Sequence, residues 1–501
     1  LAAIEPPLWC RLLSSYCERK GIKTRILDAN AWEWSIWAIA YEVKCMRPAL
    51  VVIVAYGHQP SASTQTMPSV IETCKAIKQE CSDIPVLIVG GHPAVLPKET
   101  LEETGADFVC TGEGPITTVA LLGHLKAGYP RGWATWTASR RDIPGVAFND
   151  HGEFVISPPA HNVVDLSEMP GGMWDKLPME KYRAHNWHCL GIESRQPYAS
   201  IYTSLGCSFG CIFCNVQAPF REGDKLKFGG KANSYRTWAV ESVIAEVETL
   251  VERHSVTNIK IADEMFCLKP SHVKAVCGAV KERYEDRLNF WAYARVDTCK
   301  PELLEIMRSA GIKWIALGIE AASGEVRDGV EKDDYGVDDI YDTCRRIREA
   351  GICLIANFIT GLPSDTFDTM QATRDMAFEI MPEWLNVYCM QIYPGASLWN
   401  TWRSLGLREG WEPSADWSTY SHFSYDTSPA PTKTLSNIEV LKFRDKFFHD
   451  FFADPGYLAM IGRKFGPKAA VEIAEMVRVP LKRKLLGESG ILVTSAVEIR
   501  G

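Results

Sequence analysis

The 501-residue sequence contains no uninterrupted apolar run near the roughly 18 to 20 residues that cross a bilayer as a helix. Its longest candidates, such as Ala49–Ala55, have the length of a buried strand. Positive charge is not in excess: 54 Lys and Arg face 62 Asp and Glu, for a net charge of −8 and a pI near 5.9. That balance argues against a general nucleic-acid binder, which would carry a basic stripe, and leaves at most a local patch. No segment has a disordered composition; 46% of residues are hydrophobic and 23% charged. There is no charged-then-apolar leader, which favours a cytoplasmic setting. The chain starts at Leu1 rather than Met, inside a helix-like pattern, so we expect a trimmed N-terminus that lacks a first strand.

What is present is cysteine. Sixteen are dispersed through helical and strand patterns, as expected of a reduced compartment in which most serve as small buried hydrophobes. Only Cys207, Cys211 and Cys214 crowd into eight residues.

Around them the chain alternates strand and helix. The first third predicts a helix at Leu8–Arg19, a strand at Lys23–Leu27, a helix within Trp34–Val43 and a strand at Leu50–Ala55. Helices at Val70–Lys78, Lys98–Glu103 and Ile116–Leu125 then alternate with strands at Val86–Val89 and Asp107–Cys110. This is the pattern of a parallel, doubly wound, Rossmann-like α/β domain over residues 1–140. Residues 141–195 hold a hairpin across Val146–Ile156 and a Pro- and Gly-rich linker. From 196 to 396, six strands with intervening helices predict a partial (β/α)6 barrel. Residues 397–501 read as a mainly helical segment over the barrel mouth. Its Trp402, Trp411, Trp417, Tyr420 and Phe423 are read as packing groups, and Lys482–Lys484 as a solvated helix face.

The segment Thr203-Ser-Leu-Gly-Cys207-Ser-Phe-Gly-Cys211-Ile-Phe-Cys214 follows the first of those barrel strands. Three thiolates spaced x3 and x2 can wrap one face of a cubane cluster, and Gly206 and Gly210 let the backbone curl around it. Three ligands for four irons leave one iron open. A zinc site would want a fourth protein ligand, which His188 or Cys189 could supply. Polar residues end the following strands: Asp263 and Glu264, Arg295 and Asp297, then Glu320. Such positions project into a barrel mouth, although solvated loops and structural ion pairs fall there too.

The cysteine segment resembles the radical S-adenosylmethionine (SAM) superfamily. The resemblance implies a [4Fe-4S] cluster on Cys207, Cys211 and Cys214 whose open iron chelates SAM; reduction of the cluster then releases a 5′-deoxyadenosyl radical. It implies SAM contacts for Phe213, Glu264, Arg295 and Glu320, and an electron donor such as flavodoxin or ferredoxin. The family's Gly-Gly-Glu motif is not evident.

In the first domain, three strand ends carry small residues: Tyr56–Thr64, which includes His58, Ser61 and Ser63; Gly90-Gly91-His92-Pro93; and Thr111-Gly112-Glu113-Gly114. A doubly wound sheet binds its ligand at this edge, and small residues let a large flat ligand approach the backbone. No G-x-G-x-x-G opens a helix, so a dinucleotide is disfavoured. Together with the cysteine segment, this domain is similar to that of the cobalamin-binding radical SAM enzymes. The resemblance implies base-off cobalamin lined by Ser61, Ser63, Gly90, Gly91, His92, Gly112, Glu113 and Gly114. The sequence has no Asp-x-His-x-x-Gly to present an axial histidine, and His58 and His92 remain candidates for pocket contacts. The implied activity is C-methylation of a small biosynthetic intermediate. Oxidative cyclisation or rearrangement without methyl transfer, and a non-catalytic cobalamin sensor or carrier, are the alternatives.

Overall fold

The computed structural model describes residues 3–128, 140–158, 163–222, 225–226, 234–332, 334–408 and 410–489. Strands Val51–Ala55, Val86–Gly90 and Phe108–Cys110 pair in parallel in that order. The hairpin Val146–Asp150 and Glu153–Ile156 extends the same sheet antiparallel, so it completes the N-terminal sheet. Alternate residues of the second strand face opposite layers, as a strand covered on both sides requires. Val86 and Ile88 pack with Val70, Ile77 and Leu101 of helices Met67–Glu80 and Pro97–Thr104, whereas Leu87 and Val89 pack with Leu121 and Leu125 of Pro115–Gly128. The expected boundary at 140 adjoins residues outside those described.

Helix Leu8–Arg19 has the expected bounds, but no strand forms at Lys23–Leu27. Backbone bonds of that segment go elsewhere: the Thr24 N–H donates to Glu18 at 2.8 Å, and its carbonyl accepts from Lys176 at 2.9 Å. A segment whose polar backbone groups are met by side chains needs no ladder.

The barrel strands are Tyr198–Ile201, Asn258–Ile261, Asn289–Arg295, Ile312–Glu320, Cys353–Thr360 and Trp384–Cys389. All are parallel and stand side by side in sequence order. Outward residues such as Ile201, Ile261 and Phe290 meet Val243, Val247 and Val276 of the surrounding helices. Trp187 closes the amino-terminal floor of the barrel, edge-on to Trp291 and Trp314 at 5.0 and 5.7 Å. From the far side, Phe465 stacks on Trp314 at 5.6 Å.

The C-terminal helices Asn437–Ala453, Pro455–Phe465 and Pro467–Val477 lie along the last strands, where Arg444 donates to the Val387 carbonyl at 2.8 Å. The basic stretch departs from expectation. Lys482 and Lys484 are exposed, but Arg483 is fully buried, paired with Asp445 at 2.8 Å and bonded to the Ser424 carbonyl. It is a core clamp, and three like charges in a row did not reveal that one points inward.

Candidate functional site at the meeting of two sheet edges

The carboxyl ends of the barrel strands face the carboxyl edge of the N-terminal sheet. The cysteine segment leaves the first barrel strand through Ser204–Leu205, which pairs antiparallel with Arg236–Thr237. Gly206 then turns with φ +81°, where an added Cβ would stand 2.5 Å from the Ser234 carbonyl oxygen. Only glycine satisfies both conditions. The adjacent strand end braces this turn. Asp263 accepts from the Thr203 N–H, the Thr203 hydroxyl and the Ser204 hydroxyl, each at 2.6 Å, and Glu264 accepts the Gly206 N–H at 3.0 Å. Burial raises the two carboxyls to about 6 and about 7 respectively.

All three thiols are free; Cys207 is buried, and Cys211 and Cys214 are half-buried. Burial raises Cys207 to about 11 and Cys214 to about 12, with further upward contributions from neighbouring cysteines of the same loop. Arg295 donates to the Cys211 sulfur at 3.3 Å and lies 3.7 Å over the Phe209 ring. Ile212 donates to Val330 and accepts from Leu398, tying the loop to the barrel rim, while Phe213 packs among Ala321, Val326 and Leu398. Three soft thiol donors on one short loop have the chemistry of an iron–sulfur site. Among the described residues, though, no three His, Cys, Asp or Glu side chains stand close enough together to hold a metal, so the assignment rests on donor type and spacing. The fourth ligand considered for zinc lies elsewhere. His188 bonds the Asn289 carbonyl at 2.9 Å and Cys189 bonds Asn258 at 3.5 Å, both at the opposite end of the barrel.

The rest of the mouth is charged and paired. Arg295 pairs with Asp297 at 2.8 Å and Asp334 at 2.6 Å. Glu320 sits in an irregularity of the fourth strand with φ +68°, a costly conformation for a side chain of this size, and is paired with the buried Lys332. Sequence reading missed Lys332; a lone lysine beyond a helix carries no signal until the fold brings it back to Glu320.

Opposite stands the N-terminal edge. Gly90 abuts the first strand so closely that a Cβ would lie 2.4 Å from the Ala55 carbonyl oxygen. Gly114 has φ +113°, and a Cβ there would lie 2.4 Å from Val89, whereas Gly112 has open space. The Ser63 hydroxyl accepts the His92 N–H at 2.9 Å. His92 itself is fully buried and held neutral by that burial, with its pKa lowered to about 3. It meets Thr64 at 3.3 Å and lies edge-on to Trp417 at 4.4 Å. Ser61 bonds Tyr393. His58 turns away from the cavity, its Nε2 2.7 Å from the Pro6 carbonyl oxygen and its Nδ1 3.4 Å from Glu5.

Between the edges lies a cavity bounded by Tyr56, Gly91 and Glu113 on one side and Gly206, Asn215 and Glu264 on the other. Glu113 crosses the gap to pair with Arg236 and also accepts the Val164 N–H at 2.9 Å. Tyr56 stacks on Trp9 at 4.4 Å, and its hydroxyl is buried without a partner. The orphaned Tyr56 hydroxyl and the side-chain-free wall at Gly91 fit a ligand held by polar, backbone and stacking contacts. Trp9, Tyr56 and Arg236 were not singled out from sequence, because each depends on contacts between distant segments.

The family description "Radical SAM superfamily" matches residues 201–377, and "B12 binding domain" matches residues 1–122. The chain is 26% identical over 395 residues to an uncharacterized methyltransferase of Pyrococcus horikoshii, covering 79% of this chain and 78% of that one. It is 25% identical over 449 residues to the anaerobic magnesium-protoporphyrin IX monomethyl ester cyclase of Cereibacter sphaeroides, covering 88% of this chain and 66% of the cyclase. Its fold matches that of the radical SAM methyltransferase TsrM from Kitasatospora setae, whose structure holds cobalamin and a [4Fe-4S] cluster. The TM-score is 0.66 at 17% identity, over 95% of this chain and 96% of TsrM.

Proposed function

This chain belongs to the radical SAM enzymes that carry a B12-binding domain, with a [4Fe-4S] cluster, SAM and cobalamin as cofactors, and on that premise we propose that it is a C-methyltransferase acting on a small biosynthetic intermediate. The observation that carries the proposal is the shared cavity, whose walls come from the cysteine loop and the glycine-rich edge together. When bound, the cluster with SAM supplies hydrogen-atom abstraction and the cobalamin supplies the methyl group; the protein positions them and excludes water.

Cys207, Cys211 and Cys214 are assigned as cluster ligands. Arg295 and Glu264 brace their loop by direct contacts. Phe213, Glu264, Arg295 and Glu320 are assigned to SAM, with Lys332 fixing the Glu320 carboxylate. Ser61, Ser63, Gly90, Gly91, His92, Gly112, Glu113 and Gly114 are assigned to the cobalamin side. Among them, Gly91 and Glu113 bound the cavity directly, while Ser63 and His92 hold its wall from behind. The cobalamin is read as base-off. We read the domains as residues 1–140, 141–195, 196–396 and 397–501, and the setting as cytoplasmic with a flavodoxin- or ferredoxin-type electron donor. No described helix is long and apolar enough to cross a membrane.

A second reading, oxidative cyclisation without methyl transfer, is favoured by the alignment to the cyclase over 88% of the chain. Anaerobic reconstitution with iron, sulfide and cobalamin, then mass spectrometry with methyl-labelled SAM and candidate substrates, separates the two. A product carrying the labelled methyl on carbon supports methylation; an unlabelled, oxidised product supports cyclisation. Cys211→Ala is expected to abolish SAM cleavage, and undiminished cleavage would overturn the cluster assignment.

A further inference from the structure

Immediately after the third cysteine the chain runs Asn215-Val-Gln-Ala-Pro-Phe220, a stretch the function above does not use. Asn215, Val216, Pro219 and Phe220 line the cavity between the two sheet edges. Ala218 opens the short turn Ala218–Phe220. The Ala218 N–H donates to the Asn215 carbonyl at 3.0 Å, and the Phe220 N–H to the Gln217 carbonyl at 2.9 Å.

The Ala218 side chain is fully buried, and it meets two glycines from separate parts of the fold. A Cβ built on Gly91, just past the strand Val86–Gly90, would stand 3.5 Å from the Ala218 methyl carbon. One built on Gly395, in the turn beyond the last barrel strand, would stand 2.5 Å from that carbon and 3.1 Å from Val95. Gly395 also has φ +87°, so neither the space nor the backbone admits a side chain there. The methyl is thus a knob in a socket that the cobalamin edge and the barrel rim make together.

The same stretch grips the cysteine loop. The Gln217 side-chain amide donates to the Cys207 carbonyl, ten residues back, and closes the loop that carries all three cysteines. The Asn215 amide donates at 3.4 Å to the carbonyl of Pro60, which belongs to the N-terminal segment Tyr56–Thr64. A close-packed contact of this kind shifts its neighbours when its volume changes, because no free space absorbs the change.

Separation matters to this reaction. Radical formation belongs to the cysteine side and methyl supply to the cobalamin side, and a misplacement of about 1 Å can cost about a hundredfold in rate. We propose that Ala218 is a positioning residue: its methyl, seated between Gly91 and Gly395, sets how far the cysteine loop stands from the cobalamin edge. Gln217 carries that setting to Cys207. The proposal rests on the enzymatic reading above.

The test uses anaerobic holoenzyme carrying both cofactors, poised so that the reduced cluster and cob(II)alamin are both paramagnetic. Pulsed electron paramagnetic resonance then reads how strongly the cluster speeds relaxation of the cobalt spin, an effect that falls with the sixth power of distance. Ala218→Val overfills the socket and should widen the gap, lowering the enhancement by about twofold. Ala218→Gly empties the socket and should replace one relaxation rate by a spread of rates. Iron and cobalamin contents report that each variant has folded; should the valine variant fail to load, the glycine variant decides. Ala377→Gly, an equal truncation buried within the helix Phe367–Ile380, should leave the enhancement at its parental value. Parental relaxation in every loaded Ala218 variant, or an equal shift in Ala377→Gly, would overturn the proposal. A parent protein that binds no cluster or no cobalamin would instead overturn the enzymatic reading, and the proposal with it.

Discussion

At the carboxyl edge of the N-terminal sheet the groups at and behind the cavity wall are mostly small or uncharged: Gly90, Gly91, Gly114, Ser63 and a neutral His92, with Glu113, paired to Arg236, as the charged exception. The barrel mouth facing it is held by paired charges: Glu320 with Lys332, and Arg295 with Asp297 and Asp334. The first surface makes space, letting backbone approach a large ligand; the second makes fixed fields, orienting thiols and a charged cosubstrate. The two should therefore fail differently. Damage to the glycine edge is steric and should cost cobalamin while sparing iron, whereas damage to the mouth is electrostatic and should disturb the cluster side.

The largest effect is expected at the mouth. Lys332→Met leaves the Glu320 carboxylate buried and unpaired, which costs about 4 kcal/mol in comparable cases. Denaturant unfolding should show that loss, and adding Glu320→Gln should recover much of it. A double variant no more stable than Lys332→Met would mean that the pair is not the source. On the other surface, Gly114→Ala places a Cβ in a left-handed conformation and against Val89. It should cost about 3 kcal/mol and lower cobalamin uptake, with iron content unchanged. Gly112→Ala, with open space, should do neither.

How much of this was legible differs between the surfaces in the same way. The number and alternation of the barrel strands could be read because apolar runs buried on both faces leave their pattern in the chain. The cysteines declared themselves by spacing alone. The strand expected at Lys23–Leu27 failed because nothing local says whether an extended segment will find a ladder or, as Thr24 does, side-chain partners. Lys332 and Arg236 were unreadable for a related reason. Each acquires its role from a partner the fold brings to it: Glu320 across the fourth strand end and Glu113 across the gap between the two sheet edges.

The brace under the cysteine loop gives a smaller effect. Asp263→Asn replaces a carboxylate that accepts three hydrogen bonds with an amide offering one oxygen. A loss of roughly 2–3 kcal/mol is expected, with reduced iron loading and unaltered cobalamin uptake. Equal loss of both cofactors would erase the distinction between the two surfaces.

The smallest effect depends on pH and belongs to the neutral edge. His92 has an ordinary pKa of 6.5 unfolded and about 3 folded, where burial disfavours its cation. The unfolded chain therefore binds the extra proton as pH falls below 6.5, so the stability this residue contributes is intact above that value and drains away towards pH 3. At pH 5 the loss amounts to about 2 kcal/mol, against almost nothing at pH 7. His92→Gln, which cannot take up the proton, should accordingly lose less stability than the parent between pH 7 and pH 5. Unfolding curves of the two proteins measured at both pH values give this difference directly. Parallel losses would mean that His92 is already solvated enough to titrate normally, and that the edge is not kept free of charge by burial.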